Sequence, residues 1–99
     1  MKSALLLLSA ALAVPALAAT PEQIVADRKC NKCHTSKTTK KAPSFADIAA
    51  KSRGDAGAVA RMVDTMKTGG KDSHDKLPVS DAELKAVAEW VLARPPAVP

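Results

Sequence analysis

Two aromatic side chains, Phe45 and Trp90, are all that the 99 residues offer, and there is no Tyr. Hydrophobic residues make up 46% of the chain, but many of them are Ala, which buries little area apiece. A chain this short is marginal on its own core and is usually completed by a metal, by disulfides or by a prosthetic group. The length admits one domain, and 25% charged residues is ordinary for a soluble protein. A multi-domain enzyme and a membrane-spanning bundle are excluded. Something beyond the amino acids is needed to close the core.

The first stretch reads as a leader. Met1-Lys2 gives a short positive start, and residues 4–14 are apolar apart from Ser9. Pro15 then breaks the run before the small-x-small site Ala16-Leu17-Ala18. The apolar run falls short of the ~20 residues of a spanning helix. No Cys follows the site to carry a lipid. Residues 1–18 are therefore expected to be a cleaved secretory signal peptide. The mature chain is one domain, 19–99, with a Pro-rich tail over 95–99, exported to the periplasm with no membrane span after processing.

The formal charge is +5, and the positive residues are unevenly placed. Arg28, Lys29, Lys32, Lys37, Lys40 and Lys41 share a stretch without an acidic residue. Nucleic acid is a poor partner for this patch, because an exported chain with so few aromatics cannot stack on bases.

Hydrophobic spacing and capping signals predict four helices and no strand. Thr20-Pro21-Glu22-Gln23 combines a capping Thr, Pro at the first helical position and Gln three residues after the cap, opening a helix to about Lys29. Ser44, three residues before Asp47, opens a short helix to Lys51. Val59, Met62, Val63 and Met66 recur at helical spacing after an Asp55 start and stop at Gly69-Gly70. Ser80-x-x-Glu83 is a capping box before Leu84, Val87, Ala88, Val91 and Leu92, and Pro95 ends that helix.

The motif that carries chemistry is Cys30-Asn31-Lys32-Cys33-His34. In C-x-x-C-H, two thiols one turn apart can bond to the two vinyl groups of a haem, and the adjacent His reaches the iron from one face. Three other readings compete. A thioredoxin-like redox pair belongs with a βαβ pattern that is missing here. Structural zinc needs four ligands, and the whole chain has two Cys and two His, with His74 far from the motif. A local Cys30–Cys33 disulfide is allowed in an exported protein. Haem also answers the core deficit, because its apolar macrocycle would pack against Phe45, Trp90, Ile48, Leu84 and the Val/Met stripe.

With this motif, the chain resembles the short bacterial class I monohaem cytochromes c, from the amino-terminal helix through Ala88-Glu89-Trp90-Val91-Leu92. The resemblance implies an all-α fold of four helices wrapped around one covalently bound haem c, and an electron carrier rather than an enzyme. Cys30 and Cys33 match the thioether cysteines, and His34 the proximal iron ligand. Pro43 stands where the family has a Pro whose carbonyl accepts the proximal imidazole N–H. Phe45-Ala46-Asp47-Ile48-Ala49-Ala50-Lys51 is similar to the short helix after that Pro.

The chain departs from the family at the second axial ligand. Members usually supply a Met from an apolar loop before the last helix, whereas residues 71–78 here are polar and contain none. His74 lies close to where that Met stands, which makes it the expected distal ligand and the haem bis-histidine. Met66 and Met62 are the alternative ligands, although both lie on the apolar stripe where Met usually fills a core. An open iron is the third possibility.

The reading reached is a monomeric periplasmic carrier of single electrons, serving redox proteins that dock an acidic face on the basic patch. Two alternatives remain open at this point. One is a five-coordinate haem protein that binds small gases or acts as a weak peroxidase. The other is a haem-free thiol or metal-binding module.

Overall fold

The computed structural model describes residues 19–71 and 73–95. The expected signal peptide and residues 96–99 of the tail lie outside them. Among the described residues there are four α-helices and no strand: α1 (Pro21–Asp27), α2 (Phe45–Lys51), α3 (Ala58–Thr68) and α4 (Asp81–Leu92). The all-α expectation holds.

Three of the helix starts are built from the capping residues legible in the sequence. Thr20 Oγ1 accepts from the Gln23 amide at 3.2 Å, and Gln23 Oε1 accepts from the Thr20 amide at 2.9 Å. Ser44 Oγ takes the Asp47 amide at 3.1 Å at the head of α2. Ser80 and Glu83 form the reciprocal pair at α4, both bonds at 3.1 Å. Each cap satisfies amides that have no partner within the helix.

Two boundaries differ from expectation. Helix α1 stops at Asp27 rather than near Lys29, because Lys29 takes a left-handed backbone with φ 55°. That conformation costs a non-Gly residue roughly 1–2 kcal/mol, and it turns the chain into a single 3-10 turn over Cys30–Lys32. Helix α3 begins at Ala58 rather than at Asp55. Asp55 instead holds the preceding turn, where its carboxylate accepts the Gly57 amide at 2.9 Å and pairs with Arg61.

Helix α4 packs against all three other helices and supplies half of the buried cluster. Leu84, Val87, Ala88 and Val91 from α4 meet Ile24 and Val25 of α1, Met66 of α3 and Leu77 of the loop between α3 and α4. Phe45, Ile48, Val59, Met62, Val63 and Trp90 are only half-buried and pack around this cluster. Among the residues expected to pack on a macrocycle, Leu84 and Met66 are buried by protein alone, while Phe45, Ile48, Val59, Met62, Val63 and Trp90 keep apolar surface uncovered.

Candidate functional site

Of these half-buried residues, Phe45, Ile48 and Met62 face a cavity of about 640 Å³, within the roughly 300–1,000 Å³ range of cofactor and ligand sites. Its lining brings together residues far apart in the chain: Cys30, Cys33 and His34 from the turn after α1, Pro43 and Phe45 at the head of α2, Met62 and Met66 of α3, and His74 and Leu77 of the following loop. Helix α4 closes the floor with Val87 and Val91.

The left-handed Lys29 and the 3-10 turn set the first group. The His34 and Cys33 amides both reach the Cys30 carbonyl, at 3.0 and 3.3 Å, so the motif is wound on itself. Cys30 is half-buried, Cys33 is exposed, and both are free thiols. The local disulfide is therefore not formed in this structure. Burial pushes the Cys30 thiol above the ordinary range, which keeps its proton in place. Among the described residues, no three His, Cys, Asp or Glu side chains gather into a metal-holding group.

His34 is oriented by a backbone acceptor. Its Nδ1 lies 2.7 Å from the Pro43 carbonyl oxygen. A carbonyl only accepts, so Nδ1 carries a proton, and in the neutral ring Nε2 is the nitrogen with the lone pair. The ring is stacked on Phe45 with centroids 5.1 Å apart and planes 22° apart. Phe45 in turn meets Trp90 edge to face at 5.7 Å. Arg94 covers the outer side of Trp90, 4.0 Å from the ring centre, and its Nε donates to the Trp90 carbonyl at 3.1 Å.

His74 is close by. Its ring centroid is 6.0 Å from that of His34, with the planes tilted by 33°. Its Nδ1 is 2.7 Å from the Asp75 carbonyl, so it too donates from Nδ1, and in the neutral ring Nε2 is the nitrogen with the lone pair. Met62 and Met66 also line the cavity, but Met66 is buried within the core cluster. The Phe45 stack, the Asp75 carbonyl and the Arg94 lid were not anticipated in sequence. The only signal of the stack was that Phe45 follows the Pro43-Ser44 cap by one residue.

Arg28, Lys29, Lys41 and Arg61 also line the cavity. Among the described residues, the ion pairs are Arg61–Asp55, Lys67–Asp81 and Lys85–Glu89. None of the basic residues over 28–41 takes part in one.

The donor set of two free thiols and a tautomer-locked imidazole on one apolar cavity fits a covalently held haem. Comparison with known proteins decides the family. The Cytochrome c family model matches residues 18–94. This chain belongs to the cytochrome c family. It is 35% identical over 85 residues to cytochrome c2 of Rubrivivax gelatinosus, covering 78% of this chain and 100% of that one. It is 35% identical over 88 residues to cytochrome c-551 of Pseudomonas aeruginosa, covering 84% and 85%.

Solved cytochromes share the fold. The class 1 cytochrome MtoD of Sideroxydans lithotrophicus superposes with a TM-score of 0.62 at 26% identity, covering 74% of this chain and 90% of that one. Cytochrome c552 of Nitrosomonas europaea gives 0.56 at 28%, covering 72% and 95%. The protein is a short bacterial class I monohaem cytochrome c, an electron carrier with covalently bound haem c and redox proteins as partners.

Proposed function

We propose that this cytochrome c is an exported, periplasmic, monomeric carrier. Cys30 and Cys33 would hold the haem by thioether bonds, and His34 and His74 would hold its iron. Bound haem supplies a one-electron redox centre whose potential follows from its ligands, its burial and nearby hydrogen bonds. Everything else the chain does is to hold that centre in place. The Pro43 carbonyl fixes the His34 tautomer, Phe45 supports the ring, and the apolar wall offers a packing surface.

The closeness of the two imidazoles is the observation that carries the reading. A ring nitrogen sits about 2 Å from a bound transition metal and about 1 Å from its own ring centre, so two imidazoles sharing one ion stand about 6 Å apart. His34 and His74 stand 6.0 Å apart with both Nδ1 atoms engaged by carbonyls. Two strong ligands of unchanging type leave little to rearrange when an electron passes, which suits a carrier.

Export is supported by the leader-like residues 1–18. It is also supported by the contact of Ala19, whose N donates to Glu83 Oε2 at 3.2 Å. Cleavage after Ala18 would turn that amide into an ammonium beside a carboxylate. Among the described residues, no helix is long and apolar enough to cross a membrane. The unpaired basic stretch over 28–41, part of it at the cavity rim, suits a partner with an acidic docking face.

The test is the ferric absorption spectrum of the holoprotein and of His74→Ala. Wild type should lack the weak long-wavelength band of Met sulfur on iron. A band present in wild type and retained in His74→Ala would assign the ligand to Met66 or Met62 instead.

A further inference from the structure

We infer that Gly69 is the positioning residue for His74: its bare, left-handed backbone is the seat that holds the imidazole close to His34. The inference rests on the reading of His74 as a ligand and adds what keeps it there.

Gly69 closes α3 with φ 89°, its amide held by the Thr65 carbonyl at 2.9 Å. Its own carbonyl accepts the His74 amide at 2.8 Å. Three residues on, the Leu77 amide returns to the Met66 carbonyl at 2.8 Å. The segment from His74 to Leu77 is thus pinned at both ends to the last turn of α3. A Cβ on Gly69 would meet the His74 carbonyl oxygen at 3.0 Å, with Lys76 Cε at 3.7 Å and Cγ at 3.9 Å. The tightest neighbour is backbone rather than the end of a flexible side chain, so it gives only if the His74 peptide moves. Moving that peptide carries the ring away from His34 and strains the amide bond that seats it. Leu77, at the far end of the pinned segment, is buried in the core.

Gly54 provides the control. It has a similar left-handed backbone, φ 72°, but a Cβ there meets nothing within 4 Å. Alanine carries the left-handed penalty at both sites, and only at Gly69 does it also press on the ligand loop. Asn at position 69 tolerates the left-handed region better than Ala while still bringing a Cβ.

The experiment measures exogenous imidazole binding to the ferric holoprotein by absorption, alongside thermal melts. The variants are Gly69→Ala, Gly69→Asn, Gly54→Ala and His74→Ala. Apparent affinity for imidazole scales with the fraction of molecules whose distal ligand is off. Gly69→Ala and Gly69→Asn should therefore bind imidazole about tenfold or more tighter than wild type, a change of about 1.4 kcal/mol in the ligand-on equilibrium. Gly54→Ala should bind like wild type despite a comparable loss of melting temperature. If Gly69→Asn binds imidazole no better than Gly54→Ala while His74→Ala binds it tightly, Gly69 does not seat the ligand and the inference fails alone. If His74→Ala itself shows no gain, the ligand reading fails and this inference falls with it.

Discussion

The backbone N of Ala19 donates to Glu83 Oε2 at 3.2 Å, tying the first described residue to the cap of the last helix. Glu83 Oε1 meanwhile accepts the Ser80 amide at 3.1 Å. One carboxylate therefore closes the capping box of α4 and anchors the segment that leads into α1. Helix α4 contacts every other helix, so a local cap becomes a fastening for the whole bundle.

Acid should loosen this fastening. Hydrogen bonds from the Ser80 amide, then the Ser80 hydroxyl and the Ala19 amide, hold the Glu83 carboxyl below its usual range. A group lowered in the folded state adds stability above its unfolded pKa, about 4.3 for Glu. That stability is lost as pH falls through the lower folded value. Glu83→Gln should melt at a lower temperature than wild type at pH 7, and the gap should narrow at pH 3. Parallel melting curves at the two pH values check this. Ser80→Ala should cost about 1 kcal/mol by removal of the cap oxygen.

Either Cys30→Ala or Cys33→Ala should leave haem extractable by denaturing acid solvent in part of the population. The double substitution should leave none covalently bound. The cavity wall that includes Phe45, Ile48 and Met62 then has no apolar partner, so circular dichroism should show the helices largely lost. A double variant that kept its helices without haem would show that the protein core suffices.

Salt should slow electron transfer to the native partner. Lys29, Lys32, Lys37, Lys40 and Lys41 present charges without intramolecular partners among the described residues. Screening with a Debye length of ~8 Å at physiological ionic strength weakens their long-range steering. Replacing Lys29, Lys32 and Lys41 with Gln should reduce the second-order rate and flatten its dependence on ionic strength. A rate indifferent to salt would count against the patch as the docking face.

The reduction potential reports the distal ligand. Imidazole favours ferric iron more than a thioether does, and Met/His ligation raises the potential of cytochromes c. His74→Met should move the midpoint upward in a redox titration.

What could be read from the sequence was what short-range chemistry settles. Thr20, Ser44 and Ser80 bond to amides three residues away, so three helix starts were legible before any folding. Gly69 ended α3 for an equally local reason, its freedom at positive φ. The spacing of Cys30, Cys33 and His34 implied haem because one turn of chain suffices to bring them together. The early end of α1 escaped notice, since nothing in its residues announces a left-handed Lys29.

Tertiary structure decided the relationships that join distant segments. His34 and His74 are forty positions apart in sequence and 6.0 Å apart in space, a separation set by how α3 and its loop pack on α4. The Phe45 stack on His34, the Trp90 edge on Phe45 and the hold of Glu83 on Ala19 are likewise products of packing. Local sequence determines which residues can cap, turn or bind. Only burial of the α4 face, which draws the other helices onto it, determines which of them meet.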